Sequence, residues 1–250
     1  MKTIPILTYH SLDETDSVIS VRPDQFAQHM RLLSDRGFTG ISLERAIDGW
    51  QGRVKLPPRP VVLTFDDGFR NVLEHGAPVI AERGFGATMF VVPQWMGATN
   101  DWPGQGDEAP RLPLLDLQGL LDLRAAGFEI GGHSLSHPRL SQLAAAEADS
   151  EIAGCRARLE DELGAPVRTF AYPYGDLSAA VVEQVRAHYE AACTVEMGTA
   201  RLGDDRMRLP RLDVYYLREP ATFGLLGTMR GQFYLRLRAA GRSVRGRLGS

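Results

Sequence analysis

The sequence predicts a single α/β domain built as a barrel of parallel strands. Three observations carry that prediction. Short β-branched runs alternate with amphipathic helical stretches along most of the chain, the rhythm of βα units wound around one sheet. The run Val61-Val62-Leu63-Thr64-Phe65 shows no alternation of polar and apolar residues, as expected of a strand covered on both faces. The length, 250 residues, suits one large α/β domain with about seven or eight strands.

Residues 4–9 read as the first strand. Residues 23–36 follow as a helix with Phe26, Met30 and Leu33 on one face and Gly37 at its stop. Ile41 marks a short strand before a helix over 43–50. After a proline-rich connector the buried strand 61–65 ends at Asp66-Asp67-Gly68, a helix spans 71–83, and 87–92 is again a buried strand. Residues 93–113, rich in Gly, Pro, Asn and Asp, read as a long loop of the kind that often serves function. A helix over 116–126, a strand over 128–131 and a long helix over 141–163, with Ser141 as its N-cap, come next. Strand 168–172, helix 178–187, strand 191–195 and a last strand near 209–214 complete the domain, which we place at 1–219.

Apolar residues make up 44% of the chain, charged residues 24% and aromatics 8%, so disorder, collagen-like repeats and a disulfide scaffold are excluded. The formal net charge of -3 gives no sign of a nucleic-acid partner. Cys155 and Cys193 fit no metal spacing and read as reduced core thiols. The opening MKTIPILTYHS is too short and too polar for a signal sequence, which makes a cytoplasmic protein the expectation. No acidic residue follows Glu219, while six arginines do, so that end carries +6 against -9 for the rest. In residues 220–250, Phe223, Leu226, Met229, Phe233 and Leu237 recur at helical spacing. They suit either a closing helix with a solvated end or a peripheral membrane contact with anionic lipid.

In a βα barrel the chemistry sits at the C-terminal ends of the strands. The residues there are His10, Asp66, Asp67, His133, His137 and Tyr172-Pro173-Tyr174-Gly175. Two imidazoles four residues apart, with one carboxylate from Asp66-Asp67, give three protein ligands and an open position, the arrangement of a catalytic metal. The other carboxylate is then free to act as a base, because two adjacent charges in a dry site divide their roles.

These residues resemble the polysaccharide deacetylases of the NodB homology type, carbohydrate esterase family 4. Thr64-Phe65-Asp66-Asp67-Gly68, His133-Ser134-Leu135-Ser136-His137 and Phe170-Ala171-Tyr172-Pro173-Tyr174-Gly175 are similar to three of that family's motifs, in order. The resemblance implies a distorted (β/α)7 TIM-like barrel, circularly permuted in one subgroup, that removes N-acetyl groups from an amino sugar in a poly- or oligosaccharide or glycolipid. It implies Asp66 as general base and Asp67, His133 and His137 as ligands of a divalent metal, zinc first, with cobalt, nickel or manganese as alternatives. The Tyr174 backbone N–H would help hold the oxyanion.

Two departures stand out. The third motif begins with an Arg in many members, here Ala171; Arg211 is the candidate to orient Asp66, or else a surface residue at the barrel end. The late motif carrying the acid His is absent, its only late histidine being His188 in a predicted helix. Leu7-Thr8-Tyr9-His10-Ser11 resembles the N-terminal segment of the exopolysaccharide deacetylases acting on poly-N-acetylglucosamine, which implies His10 as the acid. Trp102, in the long loop, and Tyr172 are the candidates for sugar contact, although an indole that anchors its own loop fits as well. An O-acetyl esterase or a non-catalytic carbohydrate-binding barrel would share most of these features.

Overall fold

In a computed structural model, which describes residues 3–106, 109–228 and 231, seven parallel strands close into a barrel. They are β1 (Ile6–Tyr9), β3 (Pro60–Phe65), β4 (Ala87–Val91), β5 (Phe128–Gly132), β6 (Thr169–Ala171), β7 (Ala191–Met197) and β8 (Leu209–Asp213). The ring runs β1-β8-β7-β6-β5-β4-β3 and closes between β3 and β1, with Ile6 opposite Val62 and Tyr9 opposite Phe65. The eighth strand, β2 (Thr39–Ile41), pairs with the first half of β3, and its Gly40 carbonyl accepts from Gly86 N–H ahead of β4. It therefore wedges between β3 and β4 at the barrel floor and stays out of the ring.

Both faces of each strand are covered, which accounts for the absence of alternation in the sequence. The outward set, among them Leu7, Leu63, Met89, Ile130 and Leu212, packs under the surrounding helices. Those are α1 (Pro23–Asp35), α3 (Ala77–Glu82), α4 (Leu117–Ala125), α5 (Ala145–Leu163) and α6 (Ala179–His188). The inward set, Ile6, Val62, Phe90, Ala171, Cys193 and Leu209, fills the lumen together with Leu43, Ala46 and Ile47 of α2 (Leu43–Trp50). Helix α2 thus plugs the floor, and chemistry is left to the opposite end. Its Glu44 and Asp48 hold Arg168, at the start of β6, with Glu190 as a further partner. Gly131 makes room for the Phe90 ring, which lies 2.6 Å from where a Cβ would stand.

Local chemistry modifies several predicted elements. Pro5 has no N–H, so the strand expected over 4–9 divides into Thr3–Ile4, paired with Ala200–Arg201, and β1. The helix expected over 71–83 opens with a π-helical turn, Val72–Gly76, in which Ala77 N–H reaches back to Val72. Pro78 lacks the donor that an α-helix would use at that point. The long helix begins at Ala145, with the Glu147 carboxylate accepting from Ala144 N–H, so Ser141 is not its cap. Ser141 binds Asp176 instead, through both backbone N–H and hydroxyl.

Beyond β8, Phe223 and Leu226 are buried, and Phe223 stacks on His29 of α1 at 3.9 Å. Core packing therefore continues past residue 219. The stretch expected to meet a membrane, with Met229, Arg230, Phe233, Arg236, Leu237, Arg238, Arg242, Arg245 and Arg247, lies outside the described residues. No helix of the described residues is long and apolar enough to cross a membrane. Cys155 and Cys193 are buried free thiols.

Two buried titratable groups oppose each other in pH dependence. His29 is enclosed between Phe223, the Tyr9 hydroxyl and the Arg218 carbonyl, and burial pushes its pKa down from 6.5 to about 4. Glu129 retains some exposure as a residue, but its carboxyl is enclosed by Thr88, Thr169 and the Glu44 N–H. Burial raises its pKa from 4.5 to about 7.

As the pH falls, the unfolded chain takes up the His29 proton first, so that stability is full above about 6.5 and is lost towards 4. As the pH rises, the unfolded chain releases the Glu129 proton first, so that stability is lost between about 4.5 and 7. Each effect amounts to about 3 kcal/mol in full, and over the shared window they cancel. Urea melts between pH 4.5 and 6.5 should therefore show a flat parent, a Glu129→Gln variant that gains stability with pH, and a His29→Gln variant that loses it. Parallel profiles for all three would refute the assignment.

Candidate active site

The open end of the barrel collects the strand-end residues. Asp66 N–H still donates to Tyr9 O, continuing the ladder from β3, and successive strand residues should face opposite ways. Asp67 at φ 77° and Gly68 at φ 85° turn the chain at once, so both carboxylates face one pocket. His133 follows β5, with its N–H on Val91 O. The segment to His137 is a turn rather than a helix, with Ser134 and His137 in the left-handed region and the Ser134 hydroxyl accepting from His137 N–H.

Among the described residues the non-glycine positions with positive φ are Asp67, Ser134, His137 and Tyr174. All four belong to this site. Left-handed backbone costs on the order of 1 kcal/mol or more per residue and persists where the surroundings enforce it.

Asp67 Oδ1 lies 3.4 Å from Nε2 of both His133 and His137. The candidate ligand atoms of the three buried residues lie within 4.8 Å of one another. Asp67 Oδ1 is buried with no hydrogen-bond partner among the described residues. His133 Nδ1 is 2.7 Å from the Ala171 carbonyl, which makes Nδ1 the protonated nitrogen and leaves the Nε2 lone pair facing Asp67. A carboxylate oxygen without a donor, between two imidazole nitrogens, fits a divalent cation. Burial pushes the Asp67 carboxyl up, but the two imidazoles outweigh it and hold it well below the usual range.

Beside this group stands a buried ion pair. Arg211, on β8, points into the lumen and donates to Asp66 Oδ1 and Oδ2 at 2.7 Å each. Its Nε donates to the Thr194 carbonyl and its Nη1 also to the Thr64 hydroxyl. Burial raises the Asp66 pKa, yet the Arg211 charge and hydrogen bonds, with His10 and His133 adding to them, leave it lowered. Arg211 is 3% exposed, so it is not a surface residue. His10 Nε2 lies 3.9 Å from Asp66 Oδ2, with a quarter of its side chain exposed. In the turn after β6, Gly175 and Asp176 N–H donate to the Tyr172 and Pro173 carbonyls, and Tyr174 between them takes a left-handed backbone at φ 57°.

The other expected residues are placed differently. Tyr172 is 1% exposed and its hydroxyl donates to Met207 O; it shares the outward face of β6 with Phe170 and has no free face for a sugar, which corrects the expectation. Trp102 is 2% exposed and packs on His137, ring centres 4.3 Å apart, so its indole is a wall of the Asp67, His133 and His137 group and not an open platform. His188 pairs with Asp149 between α6 and α5, away from the pocket. Residue type alone does not single out Thr64, Thr194 or the Ala171 carbonyl, which hold Arg211 and His133 in place. Thr64 left a signal, a polar residue at an inward position of an otherwise apolar strand.

A family profile described as polysaccharide deacetylase matches residues 53–191. YxkH of Bacillus subtilis (strain 168), which is assigned to the polysaccharide deacetylases by its name, is 24% identical over 212 residues, 84% of this chain and 71% of that protein. Among solved structures, the Streptococcus pyogenes deacetylase PplD in complex with acetate superimposes with a TM-score of 0.76 at 22% identity. The match covers 91% of this chain and 98% of that one. IcaB from Ammonifex degensii gives 0.75 at 24% identity, covering 89% and 94%.

Proposed function

The chain belongs to the polysaccharide deacetylase family, and from that premise and the geometry of the pocket we propose that it hydrolyses N-acetyl groups on an amino sugar of a poly- or oligosaccharide or glycolipid. The observation that carries the reading is the placing of His10 Nε2 3.9 Å from Asp66 Oδ2, beside the Asp67, His133 and His137 group. An amine leaves only with a proton added, whereas an alkoxide is a better leaving group, so a histidine at this point favours the amide over the ester.

Asp66, kept ionised and aimed by the two Arg211 hydrogen bonds, takes the proton of the attacking water. The Tyr174 N–H donates to the oxygen that gains charge in the tetrahedral species. His10, in its protonated form, gives its proton to the departing nitrogen. Asp67, His133 and His137 would hold a divalent cation, zinc in the first place, which when bound would supply Lewis acidity and lower the pKa of water towards about 7.

Acetate release from N-acetylglucosamine oligomers and from an O-acetylated sugar, measured side by side, tests the choice. His10→Ala should slow the N-acetyl reaction by roughly 10²-fold or more and the O-acetyl reaction far less. Faster turnover of the ester than of the amide, indifferent to His10, would make the protein an O-acetyl esterase.

A further inference from the structure

His133 and His137 bring the same nitrogen to the same carboxylate oxygen at the same distance, yet they are held by different means. His133 is fixed through its second ring nitrogen, on the Ala171 carbonyl. His137 Nδ1 is buried with no hydrogen-bond partner among the described residues. The groups against its ring are aromatic: Trp102 at 4.3 Å and 36° between planes, and Tyr174 at 4.6 Å and 67°.

Both walls are themselves supported. Trp95 meets Trp102 edge-on at 6.3 Å, and the Arg139 guanidinium lies 4.4 Å over the Tyr174 ring. The loop carrying Trp102 is braced across its length. Asn100, fully buried, donates to the Pro110 carbonyl and accepts from Leu112 N–H. Arg111 gathers Asp101 and the carbonyls of Gly106 and Ala109.

We infer that Trp102 and Tyr174 are positioning residues for His137, an aromatic clamp that sets the imidazole plane and aims its Nε2 at the point faced by Asp67 and His133. The inference rests on the reading that these three residues hold a divalent cation. An imidazole binds a cation along a lone pair in the plane of its ring, so a ring free to rotate loses entropy on binding and a locked one does not. Ligating histidines ordinarily gain this from a hydrogen bond at the other nitrogen. The π faces of the clamp also favour an imidazole that has taken on part of a cation's charge. The clamp accounts for a buried indole in a loop rich in Gly and Pro, and it ties Trp102 to the metal-ligand group.

Zinc affinity, measured by competition with a chromophoric chelator, tests this, with the visible spectrum of the cobalt(II)-loaded protein reporting coordination geometry. Trp102→Leu should bind zinc 10- to 100-fold more weakly and alter the cobalt spectrum, while Trp102→Phe, which keeps a ring, should stay within about threefold of the parent. Tyr174→Leu probes the other wall, should weaken zinc in the same way, and serves if Trp102→Leu does not fold. Parental zinc affinity and cobalt spectrum in both leucine variants, with a raised KM for N-acetylated oligosaccharide at Trp102→Leu, would overturn the inference and make Trp102 a substrate contact. Equal zinc uptake by the parent and by His137→Ala would instead defeat the metal reading beneath it, and the inference with it.

Discussion

Asp66→Asn should leave zinc uptake intact and lower acetate release by on the order of 10³-fold or more. The two effects separate because the neighbouring carboxylates have different partners. Asp67 faces His133 and His137, and none of those three atoms changes in the variant. Asp66 has both oxygens on Arg211, and an amide there can accept only one of the two bonds and cannot take a proton from water. Asp67→Ala is the contrast: it should lose zinc and turnover together. Zinc content by mass spectrometry alongside acetate release decides the matter, and an Asp66→Asn protein that still turns over would remove Asp66 as the base.

The barrel and its active rim were legible because they depend on residue type and short spacing. Val61 to Phe65 reads as a buried strand from five side chains, and the two histidines and two aspartates lie within their own motifs. Arg211 could be nominated but not decided. Its position depends on β8 lying beside β1, with Leu212 opposite Leu7 and Asp213 opposite Thr8, and on β1 lying beside β3. Register between parallel strands some 200 residues apart is set by packing of the whole barrel, and no local pattern carries it.

Trp102 failed as an open platform for a related reason. Its residue type suits a sugar, but Asn100, Arg111 and the carbonyls they bind fold the loop so that the indole turns inward onto His137. Tyr172 is the more instructive miss, since parity alone could have placed it. With Ala171 in the lumen cluster, its neighbours Phe170 and Tyr172 must face out. The left-handed backbone at Asp67, Ser134, His137 and Tyr174 leaves no mark in residue type at all. It is imposed by the hydrogen bonds and packing that bring a turn from each of three strands to one point.

Arg211→Met should destabilise the protein by about 3–5 kcal/mol, because it strands the Asp66 carboxylate in a buried place without its counter-charge. At this chain length that corresponds to a fall in Tm of roughly 6–20 °C. The Thr194 carbonyl and Thr64 hydroxyl lose a donor at the same stroke, and turnover should fall with them, since among the described residues nothing else bonds both oxygens of Asp66.

A double variant identifies the cause. If the loss comes from an uncompensated charge, Asp66→Asn combined with Arg211→Met should cost less than the two single changes added together, with a coupling of about 2 kcal/mol or more. Additive losses would mean that Arg211 acts through its own packing and its bonds to Thr194 and Thr64. Arg211→Lys completes the argument: a point charge restores the pairing but not the two parallel bonds. It should therefore recover much of the stability while turnover stays low, and a lysine variant with full turnover would show that charge alone, without the fork, is enough to aim Asp66.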